Sequence, residues 1–218
     1  MLSLLITLLE DSNNDGLKYA LTECYKNLLD PNVNEHKLEF FDVFYEKLLP
    51  KLIDYLAEFP IKRHTRSQVL SQHLIFELLN FCIANYKTDL RYYIINTGML
   101  IKLEKFYTIN VKSVRLDMIR LIRNIISMKD EAFYRHLVKN DLFKCTFKIL
   151  RQMKRESTIY CAILELFNYI TKGKIKTVIE YLGEKYYEEI CRMNAKAFKD
   201  LREEIEITCI SQNNVTSL

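Results

Sequence analysis

The feature that most constrains this chain is a sequence pattern that recurs further along. Residues 90–96 (LRYYIIN) are followed by a second copy at residues 134–140 (YRHLVKN), and Arg91 aligns with Arg135 at an offset of 44 residues. A repeat of about 40–47 residues in a helical chain is typical of armadillo and HEAT proteins, whose units bury apolar faces against their neighbours. The sequence therefore predicts an all-α, armadillo/HEAT-like helical-repeat solenoid.

The composition agrees with a helical chain. Only four glycines and three prolines occur among 218 residues, and 49% of the residues are hydrophobic. So few helix breakers leave little room for hairpins or Gly-rich loops, and the length suffices for one large core. We expect one helical-repeat domain over residues 1–208 and a flexible polar tail at residues 209–218. The apolar residues 1–9 are expected to form a core helix whose partner lies upstream, which suggests a truncated or shortened chain.

Each clear repeat is expected to follow the three-helix armadillo plan of a short, a middle and a long helix. Gly98 supplies the tight turn between the first two helices of one repeat. The predicted helices of these repeats span residues 89–96, 99–107, 111–127, 130–139, 142–153 and 158–171. A less regular final repeat, over residues 174–207, is expected to cap the stack.

Two further expectations concern the core. The helix predicted over residues 17–30 has one apolar side, which is expected to face inward and consists of Leu17, Ala20, Leu21, Cys24 and Leu28. The six cysteines show no CxxC pair, and most of them occupy apolar helix positions. They are therefore interpreted as reduced core residues of an intracellular protein.

No segment carries a recognisable catalytic or cofactor motif. The chain has no phosphate loop, dinucleotide fingerprint, GxSxG elbow or HExxH motif, and its four histidines are isolated. Residues 11–16 match the first half of a calcium loop, but Thr22 stands where the bidentate glutamate is required. We therefore expect no enzymatic activity, no cofactor and no metal.

The charge pattern disfavours nucleic-acid and membrane partners. The net charge of +4 comes from 32 basic and 28 acidic residues that are intermixed along the chain. A nucleic-acid-binding domain usually concentrates its basic residues on one face. The apolar run at residues 1–9 is too short to span a bilayer.

The helix predicted over residues 111–127 presents the most informative surface. At about 100° per residue, one side is apolar and contains Val114, Met118, Leu121, Ile122 and Ile125. Lys112, Arg120 and Arg123 fall on another side, which faces the concave groove in an armadillo stack. They are candidates for binding an acidic or phosphorylated peptide. Alternatively, these cations are solvated or pair with neighbouring carboxylates, namely Asp117, Asp130 and Glu131.

The complete set of predicted partner-binding residues has a basic and an amide part. The basic part consists of Lys112, Arg115, Arg120, Arg123, Lys129 and Arg135. The amide part consists of Asn80, Asn124 and Asn168, which recur at the same offset of 44 residues. Asparagine amides at equivalent positions of successive long helices can hold the backbone of an extended peptide.

The order and spacing of several segments resemble a known family. These segments are residues 93–96 (YIIN), 120–126 (RLIRNII), 129–131 (KDE), 164–167 (LELF) and 198–201 (FKDL). Together they resemble regulatory subunit 3 of protein phosphatase 4, the SMEK (suppressor of MEK) family. The likeness is strongest from about residue 74 to residue 206 and weaker upstream.

The resemblance implies a noncatalytic subunit. Such a subunit joins the phosphatase catalytic subunit and a second regulatory subunit, and it directs dephosphorylation of Ser/Thr substrates. The family is associated with the nucleus and with DNA-damage recovery, and the expected location here is the nucleus and cytoplasm. The catalytic metals would belong to the partner.

The chain also departs from the family pattern. The N-terminal EVH1-like domain and the charged C-terminal tail of the family are absent from these 218 residues. Ser127 and Ala132 replace a glycine and a phenylalanine that flank the KDE motif in the family. The chain is therefore expected to be a fragment or a reduced member. The alternatives are a generic armadillo adaptor for charged peptides and, less favoured, a nucleic-acid-binding module.

Overall fold

The computed structural model describes residues 14–33, 37–60, 62, 64–153 and 157–215. The apolar segment at residues 1–9 lies outside these ranges. Every regular element in the described part is helical, which confirms the predicted all-α helical-repeat class. The chain divides into two compact units, residues 1–124 and 125–218, where the sequence predicts one domain over residues 1–208.

The helices of the first unit confirm the predicted order of two shorter helices and a long one. They are α1 (Asp15–Leu29), α2 (Lys37–Val43), α3 (Leu49–Glu58), α4 (Arg66–Asn85), α5 (Lys87–Thr97), α6 (Met99–Leu103) and α7 (Lys112–Ser127), whose last three residues fall in the second unit. A 3-10 turn (Glu104–Tyr107) extends α6. Gly98, with φ of 62°, joins α5 to α6 as predicted.

A π-helical turn (Phe44–Leu48) precedes α3 and has a local cause in the sequence. Pro50 has no amide hydrogen, and a proline ring crowds the carbonyl one turn earlier, so regular α-helical bonding is interrupted there. The Leu49 amide instead donates to the Phe44 carbonyl, five residues back. Pro50 itself lies in the first turn of α3, where its missing amide hydrogen is tolerated.

The second unit repeats the same helix order. Its helices are α8 (Glu131–Lys139), α9 (Lys144–Gln152), α10 (Thr158–Lys172), α11 (Lys176–Cys191) and α12 (Lys196–Val215). The segment after α10, expected to be less regular, forms two helices of 16 and 20 residues. Because α12 runs to Val215, the predicted boundary at residue 208 falls inside a helix.

Left-handed backbone recurs at the turns between helices. Asp141, with φ of 51°, lies at the turn after α8. Gly98 lies at the corresponding turn after α5. Lys129, with φ of 55°, precedes α8, and Lys174, with φ of 46°, precedes α11. Positive φ is uncommon for residues other than glycine. The repeat is therefore visible in the turn conformations as well as in the helix order.

The inward face of α1 differs from the predicted one. The buried residues of α1 are Lys18, Thr22, Tyr25 and Leu29, whereas Leu17 is 40% exposed and Cys24 is also exposed. Lys18 can be buried because its Nζ donates to Ser67 Oγ at 2.7 Å and to Ser71 Oγ at 3.0 Å, both on α4. These bonds compensate the ammonium group for lost water, and the predicted apolar face is wrong by one residue.

The interpretation of most cysteines as core residues is also wrong. Only Cys82 is buried, and burial raises the pKa of its thiol. Cys145 and Cys191 are half-buried, and the other three, Cys24, Cys161 and Cys209, are exposed. All six are free thiols. For Cys24 the reason is the shifted face of α1, which places the predicted apolar side toward solvent.

An aromatic cluster forms the centre of the second unit. Phe167 on α10 is fully buried, and its ring centroid lies 5.0 Å from that of Phe198 on α12 and 5.5 Å from that of Phe147 on α9. Phe147 also stacks on Tyr186 of α11, with centroids 4.2 Å apart. The cluster thus joins four helices through aromatic contacts that favour specific geometries.

Gly183 marks the closest approach of α11 to α12. A Cβ added at this position would lie 2.7 Å from Cγ2 of the buried Ile205. We expect Gly183→Ala to lower the free energy of unfolding by about 1–3 kcal/mol, because overpacking forces the helices apart. Urea denaturation followed by circular dichroism measures the change.

The chain provides a matched control and a rescue for this variant. Within the described part of the chain, an added Cβ at Gly16 would meet only Asn14 Oδ1, at 4.0 Å, so Gly16→Ala should not destabilise the protein. In Gly183→Ala combined with Ile205→Ala, the clashing methyl group is gone, and the combined loss should be smaller than the sum of the two single losses. Additive losses would contradict the close approach.

Candidate partner-binding surface

The buried side of α7 is the one that the sequence predicts. The five predicted residues, Val114, Met118, Leu121, Ile122 and Ile125, are all at most 2% exposed. Ile119 and Ile126 widen this buried stripe. Because the stripe fixes the rotation of the helix, Lys112 and Arg120 are exposed and Arg123 is half-exposed.

Arg120 lies beside a buried carboxylate. Its Nη1 is 3.6 Å from Oδ1 of Asp117, whose side chain is 6% exposed. The other oxygen of Asp117 is 2.7 Å from Nδ1 of His73 on α4. This hydrogen bond raises the pKa of His73 against the opposing effect of burial. Asp117 is thus held by the imidazole, and the exposed Arg120 pair adds only about 0–1 kcal/mol.

Arg115 has an internal role. Its Nε and Nη2 donate to the Ile109 carbonyl at 3.1 and 2.6 Å, and burial lowers the pKa of its guanidinium. Two of its five donors therefore fix the turn that leads into α7. The guanidinium of Arg115 is therefore held by the backbone of its own chain.

Two of the three predicted asparagines contact each other. Asn124 Nδ2 on α7 donates to Asn80 Oδ1 on α4 at 2.8 Å, and Asn80 Nδ2 donates to the Phe76 carbonyl at 2.9 Å. In the first unit, the amide part of the predicted set is therefore a direct contact between two successive long helices. Asn168 lies in the second unit and is half-buried on α10.

The second unit contains the remaining predicted cations, which lie in different settings. Arg135 is 77% exposed, and its Nε is 3.4 Å from Glu131 Oε1 one turn earlier on α8. Exposed pairs of this kind are weak, so the guanidinium is still accessible. Lys129 lines a pocket of about 350 Å³ together with Lys174, Lys176 and Tyr169.

A second basic feature of this unit was not predicted. Lys144, Lys148 and Arg151 follow one another along α9, and Lys185 of α11 joins them around an open groove of about 590 Å³. We call this feature the basic groove. The spacing of i, i+4 and i+7 along α9 places the first three on one helix face, so that stripe was visible in the sequence. Lys185 could not be predicted from the sequence, because only the packing of the helices places α11 beside α9.

The chemistry of these surfaces is that of charge recognition. Within the described ranges, no three His, Cys, Asp or Glu side chains converge in a way that could hold a metal ion. Likewise, none of the helices that the structure describes is long and apolar enough to cross a bilayer. The cations of these surfaces are ammonium and guanidinium groups, which bind carboxylates and phosphates.

Fold and surface together define a helical-repeat protein of the protein-interaction class. The sequence matches the model of a family described as phosphatase 4 regulatory subunit 3 over residues 1–207. The chain therefore belongs to the phosphatase 4 regulatory subunit 3 family, as the sequence resemblance indicates.

Two relatives illustrate the match. The chain is 27% identical over 204 residues to Suppressor of Mek1 from Dictyostelium discoideum, covering 84% of this chain and 19% of the relative. It is also 27% identical over 195 residues to serine/threonine-protein phosphatase 4 regulatory subunit 3 from Drosophila melanogaster, covering 84% of this chain and 20% of the relative. The chain thus spans about a fifth of the length of these relatives. No solved structure matches it.

Proposed function

We propose that this chain acts as a noncatalytic regulatory and scaffolding subunit of a protein phosphatase 4 complex. The observation that carries the proposal is the family match over residues 1–207. The Drosophila relative is named as a regulatory subunit of a serine/threonine-protein phosphatase. In this role the chain binds the catalytic subunit and a second regulatory subunit, contributes to complex assembly and substrate targeting, and works in the nucleus and cytoplasm, including the response to DNA damage.

The outward face of α7 is the proposed docking surface. Lys112 and Arg120 are exposed, and the buried stripe beneath them holds the helix in one orientation. Arg120 is linked to Asp117 only by a 3.6 Å ion pair, so a carboxylate of a partner can compete for it at little cost. Electrostatic complementarity of this kind contributes to partner specificity and association rate.

The test is co-purification of the tagged chain with the phosphatase 4 catalytic subunit and the second regulatory subunit of its host. Wild type is compared with Arg120→Glu plus Arg123→Glu, after circular dichroism has shown equal helicity. We expect a stoichiometric complex with the wild type and at least about a tenfold weaker one after charge reversal, as for lost interfacial charge pairs. Lys47→Glu plus Lys51→Glu, two exposed lysines of the first unit, is the matched control.

The outcomes separate the parts of the proposal. If the complex survives charge reversal on α7, the proposed regulatory role stands and α7 is excluded as the docking face. Equal losses in the control pair would indicate general charge effects. Absence of any complex would overturn the role for this chain and favour the generic adaptor, which the exposed cations of both units also fit. Salt-sensitive binding to arbitrary DNA would instead support the nucleic-acid alternative.

A further inference from the structure

We infer that the basic groove of the second unit is a docking site for a phosphorylated, acidic peptide segment. The groove is formed by Lys144, Lys148 and Arg151 of α9 and by Lys185 of α11. None of these four belongs to the predicted partner-binding set. The inference does not depend on the proposed phosphatase association, because binding is measured with the chain alone.

The frame of the groove is held in place by its own hydrogen bonds. Asp141 accepts hydrogen bonds from the Tyr186 hydroxyl at 2.6 Å and from Lys185 Nζ at 2.5 Å. Tyr186 is also stacked on Phe147 beneath it. On the other side, Arg151 Nε donates to Glu189 Oε2 at 3.0 Å. These contacts fix Lys185 and Arg151 before any ligand arrives, which reduces the entropy lost on binding.

The two remaining cations of the groove have no such partners among the residues that the structure describes. Lys144 and Lys148 are exposed, and within the described residues neither side chain makes a hydrogen bond or an ion pair. They are one helical turn apart, where like charges repel and destabilise the helix slightly. Two ammonium groups at this spacing can converge on a single anion, which would remove the repulsion.

The charges favour a phosphate over a single carboxylate. A phosphoserine or phosphothreonine carries a charge of about −1.5 to −2 and three strong acceptor oxygens. One such phosphate can neutralise both Lys144 and Lys148 and accept hydrogen bonds from both. Arg151 and Lys185 are already paired with Glu189 and Asp141, so Lys144 and Lys148 carry the excess positive charge of the groove. A volume of about 590 Å³ accommodates several residues of an extended segment.

The same groove is a poor fit for nucleic acid. Asp141 lines it and Glu189 borders it, which places two carboxylates next to the four cations. A regularly spaced phosphate backbone would pass close to both. A peptide with one phosphate and separate acidic side chains can place its charges on the lysines and avoid the carboxylates.

The test is fluorescence anisotropy with the full chain and a short fluorescein-labelled peptide in which glutamates flank one phosphoserine. We expect saturable binding that weakens on the order of tenfold or more for the unphosphorylated peptide, the loss of one charge-assisted contact. Lys144→Gln plus Lys148→Gln should weaken phosphopeptide binding by a similar factor or more. Lys172→Gln plus Lys199→Gln, exposed lysines of the same unit outside the groove, should leave it unchanged.

Three results would overturn the inference. Equal weakening in both double variants would mean that binding follows net charge and not the groove. Equal affinity for the unphosphorylated peptide would remove the phosphate requirement. Tighter binding of an oligothymidylate of matching charge, lost in the Lys144/Lys148 variant, would identify the groove as a nucleic-acid site. Because all four substituted lysines are exposed, circular dichroism should show unchanged folding.

Discussion

Phe167→Ala is expected to lower the free energy of unfolding of the second unit by about 3–5 kcal/mol, the usual cost of removing a buried phenylalanine ring. Phe167 has no exposed surface. Its ring lies 5.0 Å from that of Phe198 and 5.5 Å from that of Phe147, measured between centroids. The substitution leaves a cavity among α9, α10 and α12.

Urea denaturation followed by circular dichroism measures this loss. Phe167→Leu should lower the free energy of unfolding by clearly less than Phe167→Ala, because leucine fills much of the same space. Tyr92→Ala removes an aromatic side chain that is 69% exposed and should change stability by no more than about 0.5 kcal/mol. A loss below about 1 kcal/mol in Phe167→Ala would show that the site collapses around the cavity and that the aromatic cluster is not the centre of this unit.

Asp141→Ala is expected to lower the free energy of unfolding of the second unit by about 2–4 kcal/mol. Asp141 accepts hydrogen bonds from Tyr181, Tyr186 and Lys185. Its loss leaves the hydroxyl groups of two buried tyrosines without this acceptor, which lowers the free energy of unfolding by about 1–3 kcal/mol. The backbone at this residue is left-handed, with φ of 51°. Alanine tolerates that conformation poorly, at about 1–2 kcal/mol.

Asp141→Asn removes the carboxylate charge but keeps one acceptor oxygen at this position. Asparagine tolerates left-handed backbone nearly as well as aspartate and retains one acceptor oxygen, so its loss should be roughly half that of alanine or less. The same urea titration applies to both variants. Equal losses for alanine and asparagine would show that the carboxylate charge, and not the backbone conformation, accounts for the effect.

The pH dependence of this comparison follows from the pKa of Asp141. Burial alone would raise this pKa, but the hydrogen bonds from Lys185, Tyr181 and Tyr186 outweigh burial and lower it. A lowered folded-state pKa stabilises the protein above the unfolded-state value of about 3.9. The stabilisation is lost as the pH falls through the folded-state pKa. The stability advantage of wild type over Asp141→Asn should therefore shrink below about pH 4.

The sequence predicts well those features that depend on local periodicity. The buried stripe of α7 was correct from Val114 to Ile125 because helical spacing alone determines it. The helix order followed from the recurring pattern at residues 90–96 and 134–140. The turn at Gly98 was predicted because glycine favours its positive φ.

The features that were missed depend on residues distant in the sequence. The buried face of α1 follows from two serines on α4 that lie 49 and 53 residues beyond Lys18. Without that packing, a lysine in an apolar helix is expected to face solvent. The basic groove likewise needs Lys185, 34 residues after Arg151, and helical spacing within α9 could reveal only three of its four cations.

The distribution of free thiols has a practical consequence. Only a thiolate reacts readily with maleimides, and burial both shields Cys82 and raises the pKa of its thiol. Cys24 on α1 and Cys161 on α10 are exposed, one in each compact unit. Replacing the exposed Cys209 with serine concentrates rapid labelling on these two positions. A spin-label or fluorophore pair attached there would report the distance between the units directly, with and without a bound partner.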